Sequence, residues 1–387
     1  MPVDPRRIAV AFSAACAFLN LYSPQSVLPS MAEELAVSAV SISAVLTAGT
    51  FAVALTAPFT GALSDRIGRK RMIVGAMALL IVPTVMVAFS HGLAELTFWR
   101  FVQGFLLPPI FTVTVAYIGN EWPPREAATV IGLYTACSAA GGFLGRFIPG
   151  AFEASYSWRG GYLAIAAINL VCLAVVILLL PREKNFQKAA SLAASIGQML
   201  RHLRNPKLVA TYAVGFGVMF NFMATFTYIS FHLAAPPFNR SAFFLGSIFV
   251  VYLAGSALAP WSGRFIHRVG RRTFVLWALG LWAGGLLLTL APSVPLIVLG
   301  LLIFSTCGIL TQASSTGYVA ANAPSGTSSA VGLYVSVFYL GGTVGGWLPG
   351  LAYEAAGWPA SLSMVVAMIA IMATIVTIFW KEPERAG

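Results

Sequence analysis

Arg100 and Arg146 stand inside long apolar stretches, where a guanidinium costs at least about 2.5–3.5 kcal/mol on insertion scales and demands acceptors. A cation in that position can bind an anionic solute, take part in coupling, or form a buried structural pair. It can also reach for the polar edge of its stretch, and for Arg146 the nearby Glu153 is a candidate partner. A second group, Asn20, Tyr22 and Gln25, is answered later in the chain by Asn221, Thr225, Thr227 and Tyr228. Amides and phenols give hydrogen bonds without a buried charge, which suits weak solute binding and helix-to-helix contact equally.

A third constellation is the string Gly61-Ala62-Leu63-Ser64-Asp65-Arg66-Ile67-Gly68-Arg69-Lys70-Arg71. Its glycines permit a tight turn and close helix approach, and Asp65 among arginines can form an ion-pair cluster that latches one conformation. The elements recur as Gly263, Arg268, Gly270 and Arg271, with His267 where the first copy has Asp65. A permanent anion is thereby replaced by a group with an ordinary pKa of about 6.5, so the latch is asymmetric.

No acidic residue lies in the middle of an apolar stretch: Glu33, Glu34, Glu95, Glu153 and Glu354 fall near the ends, and Asp65 lies in a loop. Neutral or anionic solutes therefore fit better than cations. The histidines His91, His202, His232 and His267 are scattered, and Cys16, Cys137, Cys172 and Cys307 lack metal-site spacing. With no phosphate-binding loop or serine-nucleophile motif either, the chain has no catalytic residue, cofactor or metal site to offer.

The elements that carry these residues are membrane spans. The chain is 58% hydrophobic and 9% charged, against roughly 25% charged for a soluble domain. It divides into about twelve apolar stretches of helix-spanning length: 8–30, 39–60, 71–90, 94–118, 127–151, 160–180, 208–233, 242–262, 273–291, 295–318, 328–351 and 359–380. They are too long for strands and do not alternate as an outer-membrane barrel would. The first follows Arg6 and Arg7 but is longer than a signal core, and reads as a retained anchor.

The formal charge of +11 sits in the loops rather than on a nucleic-acid-binding module. With the amino terminus inside, one side takes nearly all the lysines and arginines and the other keeps Arg159 and Arg240, which predicts cytoplasmic termini.

The chain also repeats itself. Gly132, Gly141, Gly142, Gly145, Pro149, Gly150 and Trp158 return as Gly332, Gly341, Gly342, Gly345, Pro349, Gly350 and Trp358. The copies are six-span bundles in one orientation, so the expected organisation is an amino-terminal bundle 1–181, a linker 182–207 and a carboxy-terminal bundle 208–387. Within the linker, Leu192, Ile196, Met199, Leu200 and Leu203 share one helical face, as a surface-lying amphipathic helix requires.

The Gly61–Arg71 string between two spans resembles the signature loop of the major facilitator superfamily, and repeat and span number extend the resemblance over essentially the whole chain. It implies an all-α membrane fold of twelve helices in two parallel repeats, with solute moved by alternating access. In that family the loop's Asp faces the amino end of the eleventh helix, here after Ser325-Gly326-Thr327-Ser328. Trp99-Arg100-Phe101-Val102-Gln103-Gly104 resembles the Arg-x-x-Gln-Gly motif of proton-coupled twelve-helix drug exporters, which implies a coupling or binding role for Arg100 and Gln103. Gly145-Arg146 departs from the exporters' Gly-Pro-x-x-Gly-Gly and is similar to a variant of the YnfM-like branch.

The resulting expectation is an inner-membrane monomer that exports a drug or metabolite against protons. The alternative is uptake or facilitated passage of an organic anion, with a membrane receptor or enzyme a distant third. The expected partners are the solute, protons and membrane lipid, without nucleic acid.

Overall fold

The computed structural model describes residues 4–183, 192–323 and 327–380. Helix follows helix: α1 (Pro5–Leu21), α2 (Leu28–Glu34), α3 (Ala39–Ile67), α4 (Arg69–Phe89), α5 (Leu93–Leu106), α6 (Pro108–Glu121), α7 (Pro124–Glu153) and α8 (Trp158–Leu179). These are succeeded by α9 (Leu192–His202), α10 (Pro206–Ala234), α11 (Ala242–Ser247), α12 (Val251–Leu258), α13 (Ser262–Val269), α14 (Arg271–Leu288), α15 (Val294–Asn322) and α16 (Thr327–Phe379). Among the described residues there is no strand.

Local chemistry sets the starts. Asp4 and Asn205 cap α1 and α10 with their side chains, each followed by a proline whose missing N–H is no loss in the first turn. Ser38 and Ser157 cap α3 and α8.

The breaks depart from the expected spans. The first, expected unbroken over 8–30, is helical only to Leu21; Tyr22–Val27 is a series of turns around Pro24 before α2 begins. Proline cannot donate to the helix ladder and pushes its predecessor out of helical geometry. Pro108 and Pro109 likewise divide the fourth span into α5 and α6. The eighth divides into α11, α12 and α13 and continues to Val269. The helix α16 is two helices joined at Ala356 and Gly357, whose backbones are non-helical. Against the expected twelve, nine helical stretches among the described residues are long and apolar enough to cross a membrane, the broken Ser329–Phe379 being one of them.

The chain separates into two compact units, Met1–Ala194 with Asn239–Phe249, and Ser195–Phe238 with Val250–Gly387. Each is organised around the same contact. In the first, a Cβ on Gly141 would lie 2.5 Å from the Ala15 carbonyl oxygen, and one on Gly145 would collide with the Leu19 carbonyl. In the second, Gly341 and Gly345 meet the carbonyls of Phe216 and Phe220 in the same way. Backbone-to-backbone packing of this closeness requires residues without side chains. The flanking Pro149, Gly150, Pro349 and Gly350 are all buried.

Gly61 and Gly263 do not follow the expectation for them: both lie inside helices, and a Cβ on either would meet nothing within 4 Å. The turns fall instead on single residues, Gly68 at φ 96° and Gly270 at φ 86°, a backbone region closed to most side chains. Of the amphipathic linker face, Leu200 and Leu203 are exposed, whereas the side chains of Leu192 and Ile196 lie outside those described. Lys184, Lys188, Ser325, Gly326, Lys381 and Arg385 also fall outside the described residues.

Gly145→Ala and Gly345→Ala are each expected to destabilise the purified protein by about 1–3 kcal/mol, as overpacking does, seen as a lowered thermal midpoint. Gly132→Ala, with open space at its Cβ, leaves the midpoint unchanged or raises it.

Candidate functional site

Arg100 projects from α5 and is 1% exposed. Its Nε donates to the Val45 carbonyl at 3.2 Å and its Nη2 to the Leu21 carbonyl at 2.7 Å. Around Nη1 stand the Asn20 carbonyl at 2.9 Å, Ser23 Oγ at 3.3 Å and Gln103 Oε1 at 2.6 Å. All five acceptors are neutral. Asn20 and Leu21 are the last residues of α1 and carry the negative end of its dipole; where Pro24 stops the helix, the Asn20 carbonyl is shared with Ser23 Oγ at 3.0 Å and the Leu21 carbonyl is left to Arg100. Arg100 is thus the C-terminal cap of a broken helix, supplied from another helix. Its path is opened by Gly49 and Gly104, whose backbones touch: a Cβ on Gly104 would collide with the Gly49 carbonyl, and one on Gly49 would lie 3.3 Å from Nη2.

The network continues inward. Gln103 Nε2 donates to Thr84 Oγ1 at 2.9 Å, and Thr84 lies 3.0 Å from Asn20 Oδ1. Asn20 and Asn169 exchange a reciprocal amide pair at 3.0 and 3.1 Å. The Asn20 side chain therefore bonds α8 and α4 within its own unit. Thr84 and Asn169 are partners the sequence did not single out, since one threonine or asparagine in an apolar span carries no periodic or motif signal.

The second unit has the scaffold without the network. Phe304 stands where the repeat places Arg100, with its ring centroid 5.3, 5.5 and 5.2 Å from Phe222, Phe226 and Trp282. Met372 replaces Asn169 as the neighbour of Asn221, 3.6 Å from Nδ2, and Asn221 Oδ1 finds no hydrogen-bond donor among the described residues.

Arg146, on α7, is 3% exposed. Nε donates to Gln25 Oε1 at 2.8 Å and Nη1 to the Gly142 carbonyl at 2.7 Å. The guanidinium carbon lies 4.3 Å from the Tyr22 ring centroid and 4.5 Å from that of Phe249, so aromatic faces meet the cation. Tyr22 and Gln25 belong to the turns between α1 and α2, so the break that creates a place for Arg100 also supplies Arg146 with its neighbours. Ser26 Oγ donates to the Arg146 carbonyl at 2.5 Å, and at the same repeat position the Tyr228 hydroxyl donates to the Gly346 carbonyl at 2.5 Å. Glu153, considered as a partner for Arg146, accepts instead from the backbone of Trp158 at 2.6 Å.

In the signature loop, Arg69 is buried and pairs with Asp65 at 3.3 Å while donating to the Ala116 carbonyl at 2.7 Å. The Asn120 amide, oriented to accept, adds contacts at 2.7 and 2.9 Å. The first N–H groups of α4 point at Glu183, which accepts from Arg69 N at 2.8 Å and Lys70 N at 3.3 Å. An acid from beyond α8 thereby caps the helix that follows Gly68. In the second unit Arg271 lies 5.8 Å from the Tyr318 ring, which stacks on Trp380 at 4.5 Å. Arg66, Arg268 and His267 are exposed. Glu183→Ala is expected to cost about 1 kcal/mol, as loss of a helix cap does, and to speed hydrogen exchange at the Arg69 and Lys70 amides.

Comparison with known proteins agrees with this architecture. The profile of the Major Facilitator Superfamily matches residues 10–251 and 222–387. The inner membrane transport protein YnfM of Escherichia coli (strain K12) is 30% identical over 371 residues, covering 94% of this chain and 88% of that protein. The multidrug efflux protein YfmO of Bacillus subtilis (strain 168) is 23% identical over 387 residues, 98% of this chain and 93% of its own. Among solved structures the nucleoside transporter NupG superposes with a TM-score of 0.79 at 14% identity, covering 97% of this chain and all of that one. The chain belongs to the Major Facilitator Superfamily, as a multi-pass inner-membrane transporter and not an enzyme.

Proposed function

We propose that the chain exports a small organic solute, neutral or anionic, in exchange for protons by alternating access. Arg146 is the cation that meets the solute in the amino-terminal unit, and Arg100 positions the α1 break that carries Tyr22 and Gln25. The observation behind this reading is the setting of Arg146: a buried guanidinium between aromatic faces, held by Gln25 and the Gly142 carbonyl. A planar carboxylate or a polarised carbonyl can approach such a group with both hydrogen-bonding and stacking partners at hand. No Asp or Glu is buried among the described residues, so an organic cation would find little electrostatic reward.

Export against protons is favoured by the Arg100–Gln103 motif and by likeness to a relative named a multidrug efflux protein. The lack of a buried carboxylate to carry a proton favours a second reading, uptake or facilitated passage of an organic anion. Flux in proteoliposomes under an imposed pH gradient separates the two: export against protons accelerates with the gradient, and indifference to it leaves the second reading standing.

The solute can be found by a thermal-shift screen across anions, neutral metabolites and lipophilic cations. Arg146→Gln is then expected to weaken its binding about 10- to 100-fold, the scale of a lost hydrogen bond to a charged group, without lowering the thermal midpoint of the unliganded protein comparably. Asp65→Asn is expected to slow transport with solute affinity preserved, measured by flux and equilibrium binding side by side.

A further inference from the structure

Where α3 and α8 end and α4 begins, the first unit forms an open cavity of about 580 Å³. Four cations line it, Arg66, Lys70, Arg71 and Arg182, against one carboxylate, Glu183. That carboxylate is already engaged by the α4 amides of Arg69 and Lys70. The Lys70 ammonium is occupied in turn, donating to the Ile177 carbonyl at 3.1 Å. Arg66, Arg71 and Arg182 are exposed at the mouth and form no ion pair among the described residues. Unpaired guanidiniums around a low-dielectric recess focus a positive field into it.

The remaining wall is apolar. Val74 and Ile177 line the cavity, and beyond Ile177 an exposed apolar stripe runs along α8 through Leu178, Val171 and Leu170. A charged mouth opening onto an apolar helix face matches an amphiphile with an anionic head rather than a soluble anion, which would gain nothing from the stripe. The loop arginines place this end of the helices on the cytoplasmic side by the positive-inside rule, in the leaflet where anionic lipids carry the surface potential.

We propose that this cavity binds the headgroup of an anionic phospholipid, its phosphate held by Arg71 and Arg182 with Arg66 alongside, and its acyl chains lying along the exposed stripe of α8. The site is separate from the Arg146 setting and does not depend on it. Because Glu183 also caps α4 next to Gly68, a lipid bound here bridges the α3–α4 joint and the end of α8.

The test is native mass spectrometry of the full chain titrated with phosphatidylglycerol, with phosphatidylcholine of the same acyl chains, and with glycerol 3-phosphate. The site predicts preferential retention of phosphatidylglycerol, and weakening on the order of 30-fold in the Arg71→Gln/Arg182→Gln double variant. Phosphatidylcholine retention is unchanged, and Arg272→Gln, at the matching loop of the second unit, has no effect. Arg71→Lys/Arg182→Lys restores binding, since a phosphate accepts either cation. Equal retention of the two lipids, or full phosphatidylglycerol binding by the double glutamine variant, overturns the proposal. So does glycerol 3-phosphate binding as tightly as the lipid, which would mark a soluble-anion site. Should the glutamine variant not fold, the unaltered protein still decides: its preference for phosphatidylglycerol must fall as salt is raised, and a salt-independent preference contradicts the site.

Discussion

A guanidinium removed from water must be surrounded by oxygen, and in this chain the surrounding is done by a helix end. Arg100 has five neutral acceptors within hydrogen-bond distance, two of them the last carbonyls of α1, where the helix stops before Pro24. The dependence runs both ways. Without the break, Arg100 would lose the Leu21 carbonyl as an acceptor; without Arg100, that carbonyl at a buried helix end would lack a donor, at a cost of about 1–3 kcal/mol, while the Asn20 carbonyl would keep Ser23. The turns released by the break then carry Tyr22, Gln25 and Ser26 to Arg146, so the two buried arginines are coupled through one short segment.

The two units share a scaffold and differ in what fills it. Glycine-to-carbonyl contacts recur, at Gly145 with Leu19 and at Gly345 with Phe220, as do the positive-φ joints at Gly68 and Gly270. The interiors differ: Arg100, Gln103, Thr84, Asn20 and Asn169 in the first, Phe304 among Phe222, Phe226 and Trp282 in the second. Aromatic packing needs no partner of matched polarity, whereas a polar network is stable only when each member is satisfied. At this repeat position one unit is held by hydrogen bonding and the other by aromatic packing.

The arginines, the signature loop and the repeat were legible in the sequence because each is improbable by chance: a charge in an apolar span, a dense string of Gly and Arg, glycines returning in register. The internal breaks were harder to read. Pro24 and the Pro108-Pro109 pair were visible, but prolines are common in membrane helices that continue through them. The direction of Asn20 could not be read either, since residue type alone does not choose between solute and neighbouring helix. Glu183 was hidden for another reason: it is far along the chain from the helix it caps and sits in a charged segment where one more acid draws no notice.

The central claim is that Arg100 and the end of α1 hold one another in place. It is tested most directly by the unfolding free energy and hydrogen exchange of the Arg100→Met variant of the full chain. The account predicts a loss of at least about 2 kcal/mol, from the Leu21 carbonyl and Gln103 Oε1 left without their donor, together with faster exchange across residues 22–27. Unchanged stability with full protection of that segment would contradict it.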